Sequence, residues 1–150
     1  MIVYAEEQFS ECVEECKIHA ETHWHEVACD QIEVPLEMDY ERYYHLESIG
    51  SLKCITARNN GILVGYCWMI VSTHLHNKNT LFAFEDIYFL APECRNGRVG
   101  LRLFQYVESV MKSLGVVKIV MTTKTLVDHS RLFKYLGYIN TELCFSKLIK

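Results

Sequence analysis

The sequence predicts an α+β (mixed α/β) domain: a central mixed, mostly antiparallel sheet flanked by about four helices. Three observations predict it. Asn59-Asn60-Gly61 lies between two apolar, strand-like runs, the short-range mark of a β-hairpin. A long amphipathic helix then joins two strands, giving one β-α-β crossover late in the chain. Ahead of the hairpin, helical periodicity and a break at Pro35 mark out two further helices. The predicted order is β-α-α-β-β-β-α-β-α-β, and 150 residues suit a single domain spanning 1–150.

The elements follow in order. Ile2–Ala5 reads as a short strand. From Phe9 to about Thr22, Phe9, Val13, Cys16 and Ala20 share one helical stripe. Glu37–Glu47 is the second helix, and Gly50 fits its stop. Leu52–Arg58 and Ile62–Val71 form the hairpin. A loop over Thr73–Asn79 leads to Thr80–Leu90, a strand that completes a second hairpin and ends at Pro92. Val99, Leu103, Tyr106, Val107, Val110, Met111 and Leu114 line one face of the long helix, stopped by Gly115. Val116–Thr122 is a strand and Asp128–Leu136 a short helix ending at Gly137. Tyr138–Leu148 reads as a last strand or bent pair of strands.

Composition narrows the class. Half of the chain is hydrophobic and 23% is charged, with only 2 prolines and 7 glycines, so little of it suits linkers or disorder. No apolar run approaches the ~18 residues of a membrane span. The first residues lack a signal peptide's basic-then-apolar pattern, so a cytoplasmic protein is expected. Seven cysteines cannot all pair within one chain. Cys54, Cys67 and Cys144 fall in strand-like runs, which suggests free, mostly buried thiols in a reducing compartment. Residues 1–50 carry 13 acids against 2 bases, a net −11, whereas residues 51–150 carry 6 acids against 13 bases, a net +7. Two fields of opposite sign suit two ligands of opposite sign; solvated acidic helix faces are the alternative.

The basic half has a focus. Glu85 to Leu101 runs from a strand through a short loop into a helix N-terminus, where unpaired N–H groups and the helix dipole suit a phosphate. Gly97 and Gly100 permit close backbone approach. Arg95, Arg98 and Arg102 stand at the end of a helix that disfavours cations by ~0.3–1 kcal/mol each. An anionic ligand reverses that cost.

These residues resemble the GNAT superfamily of acyl-CoA-dependent acyltransferases. The family's Arg-x-x-Gly-x-Gly/Ala turn is matched by Arg95-Asn96-Gly97-Arg98-Val99-Gly100, and its second signature by Leu132-Phe133-Lys134-Tyr135-Leu136-Gly137-Tyr138. More narrowly, Trp24-His25-Glu26, Leu63-Val64-Gly65-Tyr66, His74-Leu75-His76 and Gly100-Leu101-Arg102-Leu103 look like GNAT proteins of phage and bacterial genomes. A phage-encoded member would act in the host cytoplasm. Two departures stand out: Arg98 occupies the first motif glycine, and Phe133 stands where many members carry a Tyr that protonates the leaving thiolate.

The resemblance implies an N-acetyltransferase with acetyl-CoA as co-substrate. It assigns coenzyme A binding to Ile87, Tyr88, Phe89 and Leu90 on the strand, to Arg95, Asn96, Gly97, Arg98, Val99, Gly100, Leu101 and Arg102 on the turn, and to Phe133. Backbone N–H groups around Tyr88–Leu90 would polarise the acyl carbonyl. The attacking amine must be neutral, which calls for a base. Glu85 and Asp86 are candidates; strand alternation lets only one of them face the reaction centre. His74 and His76 are alternative bases. His129 is a further candidate contact to coenzyme A, or part of a helix cap with Asp128 and Ser130. Trp24, His25 and Glu26 are candidates for the acceptor site.

No metal is expected. Cys12, Cys16, His19 and His23 share a helical stripe, but 11 residues at ~1.5 Å each spread them over ~16 Å, far beyond zinc's ~2.0–2.3 Å reach. In the family the first helices cover the acceptor, so an acidic first third points to a cationic amine on a small molecule or protein. It argues against nucleic acid as the direct partner. A homodimer is expected only by analogy. The other reading is a non-catalytic acyl-CoA-binding or host-factor interaction module, favoured by Arg98 and Phe133.

Overall fold

The computed structural model describes residues 1–149. The observed elements are β1 (Ile2–Glu7), α1 (Phe9–Val27), α2 (Tyr40–Ser48), β2 (Leu52–Asn59), β3 (Ile62–His74), β4 (Asn77–Leu90), a 3-10 turn (Pro92–Cys94), α3 (Val99–Ser113), β5 (Lys118–Val120) and α4 (Ser130–Tyr135). The five strands form one sheet in the order β1-β2-β3-β4-β5. All neighbours are antiparallel except β4 and β5. Among the described residues, no helix is long and apolar enough to cross a membrane.

Local chemistry sets the boundaries. Asn60 (φ 50°) and Gly61 (φ 87°) both adopt left-handed backbone, the requirement of the tight β2–β3 turn. Asp39 accepts a hydrogen bond from the Arg42 N–H at 3.0 Å, so α2 starts at Tyr40 rather than Glu37. No breaker follows Thr22 until Asp30 and Pro35, and α1 runs on to Val27. β4 begins at Asn77 because His74 pairs directly with it, shrinking the expected loop to Leu75-His76.

Helices cover both faces of the sheet. On one, Phe9 of α1 and Tyr43 of α2 pack on Trp68 of β3 at 5.1 Å between ring centroids. On the other, Phe104 of α3 and Phe133 of α4 pack edge-on against Tyr88 of β4. Cys12, Cys16, Cys54 and Cys67 are buried in this core as free thiols.

The end of the chain differs from its sequence pattern. Tyr138–Leu148 forms no strand, and Cys144 is exposed rather than buried. Ile139, Leu143 and Phe145 are 77–89% exposed. A strand needs a neighbour to hold its backbone bonds, and the nearest edge, β5, is only three residues long. That strand is itself shorter than the expected Val116–Thr122.

Candidate active site

β5 pairs with β4 only from Phe82 to Phe84. Beyond Phe84 the two chains part, and β4 has no strand neighbour on that side. A cleft of about 810 Å³ opens there, bounded by β4, the second half of α1, the α1–α2 linker, α2, the start of α3 and residues 122–132.

A bulge sets what β4 presents to it. Trp68 pairs with Ile87 but Met69 pairs with Glu85, so Asp86 is an extra residue in the strand. An extra residue breaks the alternation of faces. Contrary to the simple strand rule, both Glu85 and Asp86 line the cleft. They are held by different walls. Glu85 accepts from the Thr122 backbone N–H at 3.1 Å and from the Thr122 hydroxyl. Asp86 accepts from the Tyr43 hydroxyl at 2.6 Å. Burial pushes the Glu85 carboxyl above the usual range, opposed by the Thr122 hydrogen bonds.

Further along β4, Tyr88 reaches across the gap. Its hydroxyl donates to the Thr122 carbonyl at 3.1 Å and lies 3.1 Å from His129 Nδ1. Burial raises Tyr88 to about 12 and lowers His129. Phe89 faces α1, where His19 stacks on it at 4.9 Å and the tilted His23 ring lies against it at 5.5 Å. Burial pushes His23 down to about 4, with Glu26 opposing and Arg95 reinforcing the shift.

The turn after β4 is the anion-binding end. Gly97 takes φ 97°, and α3 starts at Val99 with no side chain capping its N-terminus and no acid in its first turn. Its first N–H groups are therefore available to an oxyanion. Arg98 and Arg102 are exposed, with no ion pair among the described residues. Arg95 is committed elsewhere. Its Nε donates to the Leu90 carbonyl at 2.8 Å, a terminal nitrogen donates to both oxygens of Glu26 at 2.8 and 3.1 Å, and its guanidinium lies 5.7 Å from the Phe89 ring. This arginine ties the turn to α1.

Of the expected site residues, Glu85, Asp86, Ile87, Tyr88, Phe89, Leu90, Arg95, Gly97, Gly100, Leu101, Trp24 and Glu26 share the cleft. Asn96, Arg98, Val99 and Arg102 lie on the same turn and helix but outside the cleft wall. The Val99 carbonyl accepts from Tyr4. His25 is bound to Gln31 at 2.9 Å. His74 and His76 pack edge-to-face at the β3–β4 turn, outside the cleft. Phe133 is 6% exposed, buried among Tyr88, Phe104 and Tyr138 rather than facing the cleft. Sequence reasoning missed Tyr43, Met38, Leu46, Thr122 and Lys124 in the cleft wall. It placed His23 only in a rejected metal set; what brings His23 to the cleft is Phe89, a long-range contact. Among the described residues, no group of three or more His, Cys, Asp or Glu could hold a metal ion.

The arrangement joins a carboxylate of raised pKa to an open strand edge and an uncapped helix N-terminus. It can hold a phosphate-bearing thioester along β4 and take a proton beside it. The structure resembles a predicted acetyltransferase from Clostridium acetobutylicum solved with acetyl-CoA (16% identity, TM-score 0.74, 99% of this chain and 96% of that one). It also resembles a ribosomal-protein-alanine N-acetyltransferase from Brucella melitensis biovar Abortus 2308 (14%, 0.74, 100% and 97%). An aminoglycoside acetyltransferase from an uncultured soil metagenomic sample, solved with sisomicin, is similar too (10%, 0.75, 99% and 97%). At these identities the likeness is one of fold. No curated protein has a significantly similar sequence. The model of the acetyltransferase (GNAT) family matches residues 18–138, the span from mid-α1 through the cleft-forming strands to the end of the second signature, and the chain belongs to that family.

Proposed function

We propose that the chain is an N-acetyltransferase that moves the acetyl group of acetyl-CoA to a primary amine by direct attack in a ternary complex. The observation that carries this reading is the meeting, in one cleft, of the half-buried Glu85 carboxylate, the unpaired side of β4 and the uncapped start of α3.

The α3 N-terminus, with Arg98 and Arg102 beside it, suits the donor's pyrophosphate. The open side of β4 near Tyr88–Leu90 suits its thioester carbonyl, because backbone N–H groups there stabilise charge developing on oxygen. Glu85 is the base. A carboxylate of raised pKa is better matched to proton abstraction near neutral pH than an ordinary one. The acceptor ammonium gives one proton to Glu85. The neutral nitrogen then forms the N–C bond, and the C–S bond breaks with its electron pair on sulfur. The second nitrogen proton reaches sulfur through water. Phe133 has no proton to give, and its burial away from the cleft supports an enzyme that uses no side-chain acid at that position. The free cysteines support action in a reducing compartment such as the cytosol.

Release of free thiol from acetyl-CoA in the presence of amines tests the reading. Glu85→Gln is expected to lower kcat by ~10²–10⁴-fold while acetyl-CoA still binds. In the unsubstituted protein, activity rises as pH climbs through the elevated Glu85 pKa. Binding of acetyl-CoA with no thiol release for any amine would instead mark a non-catalytic acyl-CoA-binding module.

A further inference from the structure

Breaking the thioester leaves a thiolate on coenzyme A, and a proton has to reach it. The cleft wall offers two tyrosine hydroxyls, Tyr43 and Tyr88. Tyr43 belongs to the sheet face covered by α1 and α2, and its hydroxyl is given to Asp86 at 2.6 Å. Tyr88 belongs to the other face, where Phe104 of α3 and Phe133 of α4 hold its ring edge-on. From there its hydroxyl reaches the Thr122 carbonyl at 3.1 Å. Thr122 also holds Glu85, through its backbone N–H at 3.1 Å. One residue across the gap from β4 therefore fixes both the base and the Tyr88 hydroxyl. The hydroxyl has a single proton, and Thr122 receives it. The second contact of the phenol oxygen, 3.1 Å from His129 Nδ1, is then an imidazole N–H donating to it. Lys124 lines the same wall, but it is exposed and its side chain makes no hydrogen bond or ion pair among the described residues, so nothing fixes its ammonium at the gap.

From this geometry we infer that Tyr88 is the catalytic residue that protonates the leaving thiolate, with His129 as its positioning residue. The inference rests on the transferase reading above and adds a side chain to its chemistry. The C–S bond breaks with its electron pair on sulfur. The Tyr88 O–H turns from the Thr122 carbonyl to the sulfur, and the S–H bond forms as the O–H bond breaks. The His129 N–H holds the phenolate oxygen until water brings it the second nitrogen proton, which restores the hydroxyl. One proton has then passed from nitrogen to sulfur, and no further reactant is consumed. His129 is half-buried, so the water that completes the transfer has a way in.

The test is single-turnover thiol release from saturating acetyl-CoA by the full chain, with the most active amine among hexylamine, phenethylamine, spermidine and kanamycin. Tyr88→Phe keeps the ring contacts and removes the hydroxyl. It is expected to slow release about 10²-fold, while the acetyl-CoA dissociation constant stays within about twofold. Difluorotyrosine at position 88 separates proton donation from packing. Burial keeps the natural phenol protonated up to about 12, and Glu85, Cys67 and Asp128 add to the rise. The unsubstituted chain therefore shows no alkaline loss from this group at ordinary assay pH. The fluorines make the phenol more acidic, so the rate should fall at a pH where the unsubstituted chain is still fully active. Tyr88→Phe releasing thiol within about twofold of the unsubstituted rate, or a difluorotyrosine profile that matches the unsubstituted one, overturns the inference and leaves the transferase reading intact. Acetyl-CoA binding to the unsubstituted chain with no thiol release for any amine overturns both.

Discussion

Lowering the pH should destabilise the protein through one histidine. His23 lies on α1 against Phe89, and burial brings its pKa from 6.5 to about 4. The unfolded chain therefore takes up a proton that the folded one refuses. His23's contribution to stability is complete above its unfolded value of 6.5, falls as pH drops below that value, and stops falling near 4. At ~1.4 kcal/mol per pH unit, the interval is worth about 3 kcal/mol. That is an upper value, because the ring keeps some solvent contact. The ionisable groups facing it pull in both directions: Glu26 favours the charged ring, whereas Arg95, Lys124 and His129 oppose it. Carboxylates elsewhere also titrate, so the assay is a difference. Urea unfolding is measured from about pH 7 down to about pH 4 for the unsubstituted chain and for His23→Gln. The acid-induced loss should be smaller in His23→Gln by about 2–3 kcal/mol. Parallel curves for the two proteins, or an NMR titration of His23 near its ordinary value, would refute the burial argument.

Two substitutions probe what positions the cleft. A Cβ at Gly65 would lie 2.8 Å from Leu90 Cδ1 and 3.0 Å from the Phe89 carbonyl oxygen. Gly65→Ala should therefore cost about 1–3 kcal/mol, lowering Tm by ~2–4 °C per kcal/mol; an unchanged Tm would contradict the close approach of β3 to β4. Arg58 of β2 binds Glu7 at 2.8 Å, Glu15 at 2.7 Å and the Gly61 carbonyl at 2.9 Å. Its removal leaves two carboxylates facing one another, so Arg58→Ala should cost about 2 kcal/mol after allowance for partial exposure. Arg58 holds the Glu7 carboxyl below its usual range, so this contribution is present above the unfolded carboxylate pKa and shrinks as pH falls below it. Chemical denaturation near neutral pH and in acid checks both statements.

Local signals carried much of the fold into view. The Asn60-Gly61 turn, the apolar stripe of α3 and the Gly115 and Gly137 stops are all decided within a few residues, and each was readable. The last strand was not, because an alternating pattern states a capacity that only a neighbouring edge can realise, and β5 offers three residues. The site shows the same division. The turn over Arg95–Gly100 was legible because glycines, arginines and a helix start fall together. The partner of Arg95 was not, since Glu26 lies 69 positions away. Nor was the bulge at Asp86, which depends on how Trp68 and Met69 pair with β4 and which puts both acidic neighbours into one cleft.

The central claim is that acetyl-CoA lies along the open side of β4 with its pyrophosphate at the start of α3. A crystal structure of the chain soaked with acetyl-CoA tests it most directly. The account predicts phosphate oxygens on the N–H groups of residues 97–101 beside Arg98 and Arg102, with the thioester between β4 and Thr122, next to Glu85. A donor bound elsewhere, or a cleft that stays empty in a saturated crystal, would contradict it.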